Sequence, residues 1–83
     1  MGFELMIHPE ESRAFTALLW TTGADPRMVE VRRFVGEPEL GAWLKDVAGR
    51  YGSQDLCVRW TDKLKRDRTL ARLVAECLDT AAP

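Results

Sequence analysis

Hydrophobic residues recur along this chain with two periods, and the period changes where the secondary structure should change. Leu40, Trp43, Leu44, Val47 and Tyr51 stand three and four apart, on one side of a helix, while Ala42, Lys45, Asp46 and Arg50 fall mostly on the other. Pro38 suits the first helical position, where its missing N–H has no intrahelical partner. Glu37 and Glu39 lie near the positive end of the helix dipole, Arg50 lies near the negative end, and Gly52 can close the last turn. The spacing predicts a helix over 38–51. Gly41 and Gly49 oppose it, each by roughly 1 kcal/mol relative to alanine; Gly41 is either exposed or a point of close backbone approach. A second three-and-four stripe, Leu70, Leu73, Val74, Cys77, Leu78 and Ala81, predicts a helix over 68–81. Asp62 or Asp67 could cap that helix, and residues 80–83 would form a frayed tail.

Elsewhere the period is two. Phe3, Leu5 and Ile7 alternate with Glu4 and Met6, a strand that His8-Pro9 should stop. The apolar residues of 14–22 do not share one helical face, because Ala17 and Trp20 lie far around the wheel from Phe15 and Leu19. Phe15, Thr16, Trp20, Thr21 and Thr22 favour a strand there, apolar on both faces. Gly23-Ala24-Asp25-Pro26 is turn chemistry, followed by a strand with Val29, Val31 and Val35 on one side and Glu30, Arg32 and Phe34 on the other. In 56–61, Leu56, Val58 and Trp60 alternate with Cys57 and Arg59. The expected fold class is therefore α+β, in the order βββαβα: an antiparallel three-stranded meander, then helix, strand and helix, with both helices on one face of the sheet. A helix over 9–23 would instead give an α/β chain of order βαβαβα.

Length then bounds the answer. Eighty-three residues make a single domain over 1–83, and a domain this small leaves much surface unburied, which dimerisation would relieve. With 46% hydrophobic and 30% charged residues, the composition is that of a folded chain rather than a disordered one. A formal net charge of −1 excludes no sign of partner. The first residues lack a basic region before an apolar run, and no apolar stretch approaches the ~20 residues of a membrane span, so a cytoplasmic protein without membrane contact is expected. Cys57 and Cys77 both sit in apolar patterns and read as small buried hydrophobes; a Cys57–Cys77 disulfide would require an oxidising compartment.

Candidate chemistry is sparse. His8 is the single histidine, beside Pro9 and without evident partners to orient it. One histidine and two cysteines twenty residues apart do not make a metal site. Neither a Walker-type phosphate loop nor a G-x-G-x-x-G turn occurs, so no cofactor is expected. Glu10, Glu11, Glu37 and Glu39 lie near prolines and read as solvated residues rather than as a catalytic pair. Two surfaces remain. Arg59, Lys63, Lys65, Arg66, Arg68 and Arg72 form a basic region opposed by Asp62 and Asp67, which could contact phosphates, with Arg32 and Arg33 joining from the sheet. Trp20, Phe34 and Arg32 would mark an uncovered sheet surface for a protein partner or a second copy. Trp43 and Trp60 are expected in the core. The leading expectation is a non-enzymatic interaction module, a regulator, inhibitor or accessory subunit acting by docking. Nucleic-acid binding through the basic region is the alternative.

Overall fold

The computed structural model describes residues 2–79. Its frame is a ladder of three antiparallel strands, β1 (Phe3–Pro9), β2 (Ala14–Thr21) and β3 (Met28–Val35), with a short β4 (Leu56–Val58) added parallel to β1. The strand order is β3-β2-β1-β4, a mixed sheet. The register aligns the apolar positions of the alternating pattern: Leu5 faces Leu19, Ile7 faces Ala17, and Phe15 faces Phe34. A pleated strand sends alternate side chains to opposite faces, so these residues share one face. They form the core with Leu40, Leu44, Val47, Leu64, Leu70, Val74 and Leu78 of the helices. Burying a leucine or phenylalanine fully is worth about 1.5–3 kcal/mol, and this layer supplies most of what holds the sheet to the helices.

Helix α1 (Glu37–Tyr51) follows Gly36, whose φ of 90° carries the chain out of β3 through a conformation that favours glycine. It crosses the sheet. Trp43 packs on Phe34 of β3 with ring centroids 5.5 Å apart, and Tyr51 packs on Phe3 of β1 at 4.6 Å. Gly41 is buried, and a Cβ there would stand 3.4 Å from Leu73 Cδ1. What comes close to Gly41 is therefore the Leu73 side chain of the last helix, α3 (Arg68–Cys77), rather than another backbone.

Four local expectations need correction. The charged run after β4 holds a separate one-turn helix, α2 (Asp62–Arg66), capped by Thr61, whose Oγ1 accepts the Leu64 N–H at 3.3 Å. The strand expected over 56–61 therefore stops at Val58, although the Arg59 N–H still donates to the Leu5 carbonyl. β1 continues through His8 to Pro9: backbone pairing with β2 uses alternate residues, with Gly2 and Glu10 in the paired set, so the nitrogen of Pro9 faces away from β2. Cys57 is exposed rather than buried, because the pleat turns it away from Leu56 and Val58 towards the face opposite the helices, and both cysteines are free thiols. The helical alternative for 9–23 is overturned by β2. Asp67 caps α3 by accepting the Leu70 N–H at 3.1 Å, whereas the expected extension of that helix to Ala81 and its frayed tail at 80–83 lie outside the described residues.

Candidate docking surface

All three helices bear on one face of the sheet, which leaves the other face open. Glu4, Met6 and His8 of β1 lie on that open face, as do Thr16, Leu18 and Trp20 of β2 and Val31 and Arg33 of β3. The register aligns them in rows across the strands. Met6, Leu18 and Val31 form one row; Glu4, Trp20 and Met28 form the next, with Cys57 of β4 beside Glu4. A β-bulge at Leu19/Trp20 brings Met28 opposite Trp20. Met6, Leu18 and Trp20 are half-buried, Met28 is 41% exposed and Val31 is 56% exposed. Among the described residues, two adjoining apolar rows therefore face solvent with no layer over them.

Polar groups bound these rows at both ends. His8, Thr16 and Arg33 form the third row. Beyond it, Glu10 accepts a hydrogen bond from Thr16 Oγ1 at 2.8 Å and one from Arg33 Nε at 3.0 Å. The Thr16 hydroxyl, with the Arg33 guanidinium adding to it, holds the Glu10 carboxyl below the usual carboxylate range. At the opposite end Arg59 lies 3.7 Å from Glu4, and a hollow beside Trp20 is lined by Met6, Gly23, Pro26 and Arg59.

The three residues expected on this surface part company. Trp20 lies on it. Phe34 does not: it projects to the helix side, 8% exposed, under Trp43. Arg32 shares the side of Phe34 but is exposed there, 3.5 Å from Glu30. The reason is the pleat. Phe34 and Trp20 project to opposite faces, and α1 covers Phe34 through Trp43 and reaches Glu30 through Arg50 at 3.1 Å, which leaves Arg32 exposed between them. Met6, Leu18, Met28 and Val31 escaped the sequence reading. Their signal was the two-residue spacing of Leu18 and Trp20, since a strand that exposes one also exposes the other.

The basic residues are spread over three elements. Arg59 follows β4 and is engaged by Glu4. Lys63, Lys65 and Arg66 lie on α2, and Arg68 and Arg72 on α3. Among the described residues none of these last five forms an ion pair, and all are exposed. Lys63 and Arg66 share a hollow with His8, Glu10, Glu11 and Asp67, so acidic groups interrupt the basic region. Three or more potential metal ligands do not cluster among the described residues, and among them no helix is long and apolar enough to cross a membrane.

Compared with known proteins, the chain matches no protein-family model, no curated protein and no solved structure.

Proposed function

We propose that this chain is a non-enzymatic docking module that presents the open sheet face to a protein partner, as a regulator, inhibitor or accessory subunit. The observation behind this reading is the pair of adjoining apolar rows, Met6–Leu18–Val31 and Trp20–Met28, facing solvent on a rigid sheet. A contiguous exposed apolar patch rimmed by polar residues is a mark of interaction sites on soluble proteins. Trp20 is the expected anchor, because tryptophan in a hollow concentrates binding energy. Leu18→Glu places a charge at the centre of the rows without touching the helix-side core. A partner photo-crosslinked from position 28 in the native host should be retained by the wild type and lost by Leu18→Glu and Trp20→Ala. Retention of the same protein by both variants would sink the reading.

A second reading follows from the five cations of α2 and α3 that have no ion-pair partner among the described residues. In that reading the region contacts nucleic-acid phosphates. Binding would then weaken steeply with salt and collapse when Lys65, Arg66 and Arg68 are neutralised. Failure of the wild type to bind heparin or to shift DNA or RNA at low salt removes it.

A further inference from the structure

The free edge of the sheet carries information that the face does not. The sheet has two edges. One is formed by β4, three residues long, beyond which α2 packs against β1. The other is β3, eight residues long and covered by nothing among the described residues. An uncovered edge of this length presents a row of unpaired N–H and C=O groups. Which groups point outwards follows from the ladder. The Gly36 N–H donates to the Arg13 carbonyl, and β2–β3 pairing alternates from there. Arg32 and Phe34 therefore pair inwards with β2, while the main-chain groups of Val31, Arg33 and Val35 point away from the sheet.

The side chains along this edge are self-complementary in one register. Glu30 and Arg32 project to the helix side, where Glu30 pairs with Arg50 of its own chain at 3.1 Å and with Arg32 at 3.5 Å, and Val31, between them, projects to the open face, 56% exposed. We propose that β3 pairs antiparallel with β3 of a second copy across a two-fold axis at Val31. Val31 then faces Val31 of the second copy, and the two exchange a pair of outward-pointing main-chain hydrogen bonds. On the helix side Glu30 faces Arg32 of the second copy, and Arg32 faces its Glu30. Opposite charges directly across an antiparallel pair stabilise it and like charges destabilise it. Moving the axis one residue earlier sets Glu30 against Glu30; moving it one residue later sets Arg32 against Arg32. The charge pattern thus favours this register over both of its neighbours.

Two consequences make this a closed dimer with a use. The contact is isologous, so it consumes the long edge of each copy, and the edges left over are the short β4 strands, which do not propagate a filament. On the open face the row Met6–Leu18–Val31 continues directly into Val31–Leu18–Met6 of the second copy. Self-pairing therefore joins the two apolar surfaces into one. The inference extends the docking reading from the face to the edge, and the two are tested by different residues.

The experiment is sedimentation of the full chain over a wide concentration range, with cross-linking and charge exchange. In a Cys57→Ser, Cys77→Ser background, Val31→Cys should form an intermolecular disulfide in mild oxidant, because residues in a hydrogen-bonded antiparallel pair have Cα atoms about 5.5 Å apart. Arg33→Cys should not, because in this register two copies of residue 33 are separated by four residues, roughly 13 Å along the strands. Glu30→Arg and Arg32→Glu should each weaken self-association about tenfold, and the double exchange should restore it to within about threefold. Amide exchange at Val31 and Arg33 should slow with rising concentration, while that of Arg32 and Phe34 should not change. Circular dichroism confirms folding of each variant, and the exposed Val31→Lys serves as a monomeric control. Trp20→Ala, which removes the anchor of the face, should leave self-association intact, so loss of docking and loss of dimer are read separately. A strict monomer at all concentrations overturns the inference. So does a dimer that Val31→Lys leaves unchanged, or a double exchange no tighter than the single reversals.

Discussion

Leu18 and Leu19 are neighbours in the chain and belong to different surfaces of the molecule. Leu19 points into the layer between sheet and helices and is fully buried; Leu18 points to the open face and is half-buried between Met6 and Val31. The two faces have similar apolar character along β2. What separates them is that Leu40, Leu44, Val47, Leu70 and Val74 were spent on one face alone. Hydrophobicity on a strand therefore does not identify the core of this protein. The supply of helical stripes does, and it suffices for one face.

The largest effect that tests this contrast comes from truncating each leucine. Leu19→Ala removes buried methyl groups with no room to collapse and should cost about 2–5 kcal/mol in urea unfolding. Leu18→Ala leaves its site to solvent and should cost about 1 kcal/mol or less, yet it should weaken docking. Similar losses at both positions would mean that the open face is as closed in solution as the covered one.

A smaller effect separates two glycines of α1 along the same division between packed and free surface. Gly49 is exposed, and a Cβ there meets nothing within 4 Å. Gly49→Ala should therefore return the helix-propensity difference of about 1 kcal/mol as added stability. Gly41 is buried against Leu73, so its alanine variant makes a real contact and its gain should be smaller, with the difference in unfolding midpoint reporting how tightly α1 and α3 meet. A larger gain at Gly41 than at Gly49 would show that the interface between α1 and α3 is looser than the structure.

Much of this architecture was legible because the helical stripes are clean and each ends in recognisable chemistry. The stripe from Leu40 to Tyr51, with Pro38 and Gly52 at its ends, returned α1 almost to the residue. The first hairpin was harder to read. Its turn contains no glycine or asparagine, and Ser12 and Arg13 adopt left-handed φ values of 59° and 61° that nothing in their chemistry announces. The Arg13 side chain pairs with Glu37 at the start of α1 and lies over the ring of Phe15. α2 was illegible because a single turn has no periodicity to detect, and its cap, Thr61, read as the end of a strand. The open face was half legible. Trp20 marked it, but placing Phe34 beside Trp20 required a register that alternation alone does not supply, and the register is set by the hairpin turn.

The smallest effect concerns the polar rim of the open face, where a single carboxylate ties three elements together. Glu10 follows β1, accepts from Thr16 of β2 and pairs with Arg33 of β3. These partners stabilise its charged form, so its folded-state pKa lies below the ordinary carboxylate value. A carboxylate shifted in this direction contributes stability that is present above its unfolded pKa and is lost as pH falls through the folded one. Because Glu10 stands in solvent, solvent screening keeps that contribution slight, and the side-chain carboxyl resonance is the better reporter. In an NMR titration Thr16→Val should move the Glu10 midpoint upwards, towards the ordinary value, and Arg33→Gln should move it the same way. Glu10→Gln should flatten the acid limb of the stability profile while leaving Leu18 and Trp20 as exposed as before. An unchanged midpoint in Thr16→Val would place Glu10 free in solution, and the apolar rows would then lack a fixed polar rim at this end.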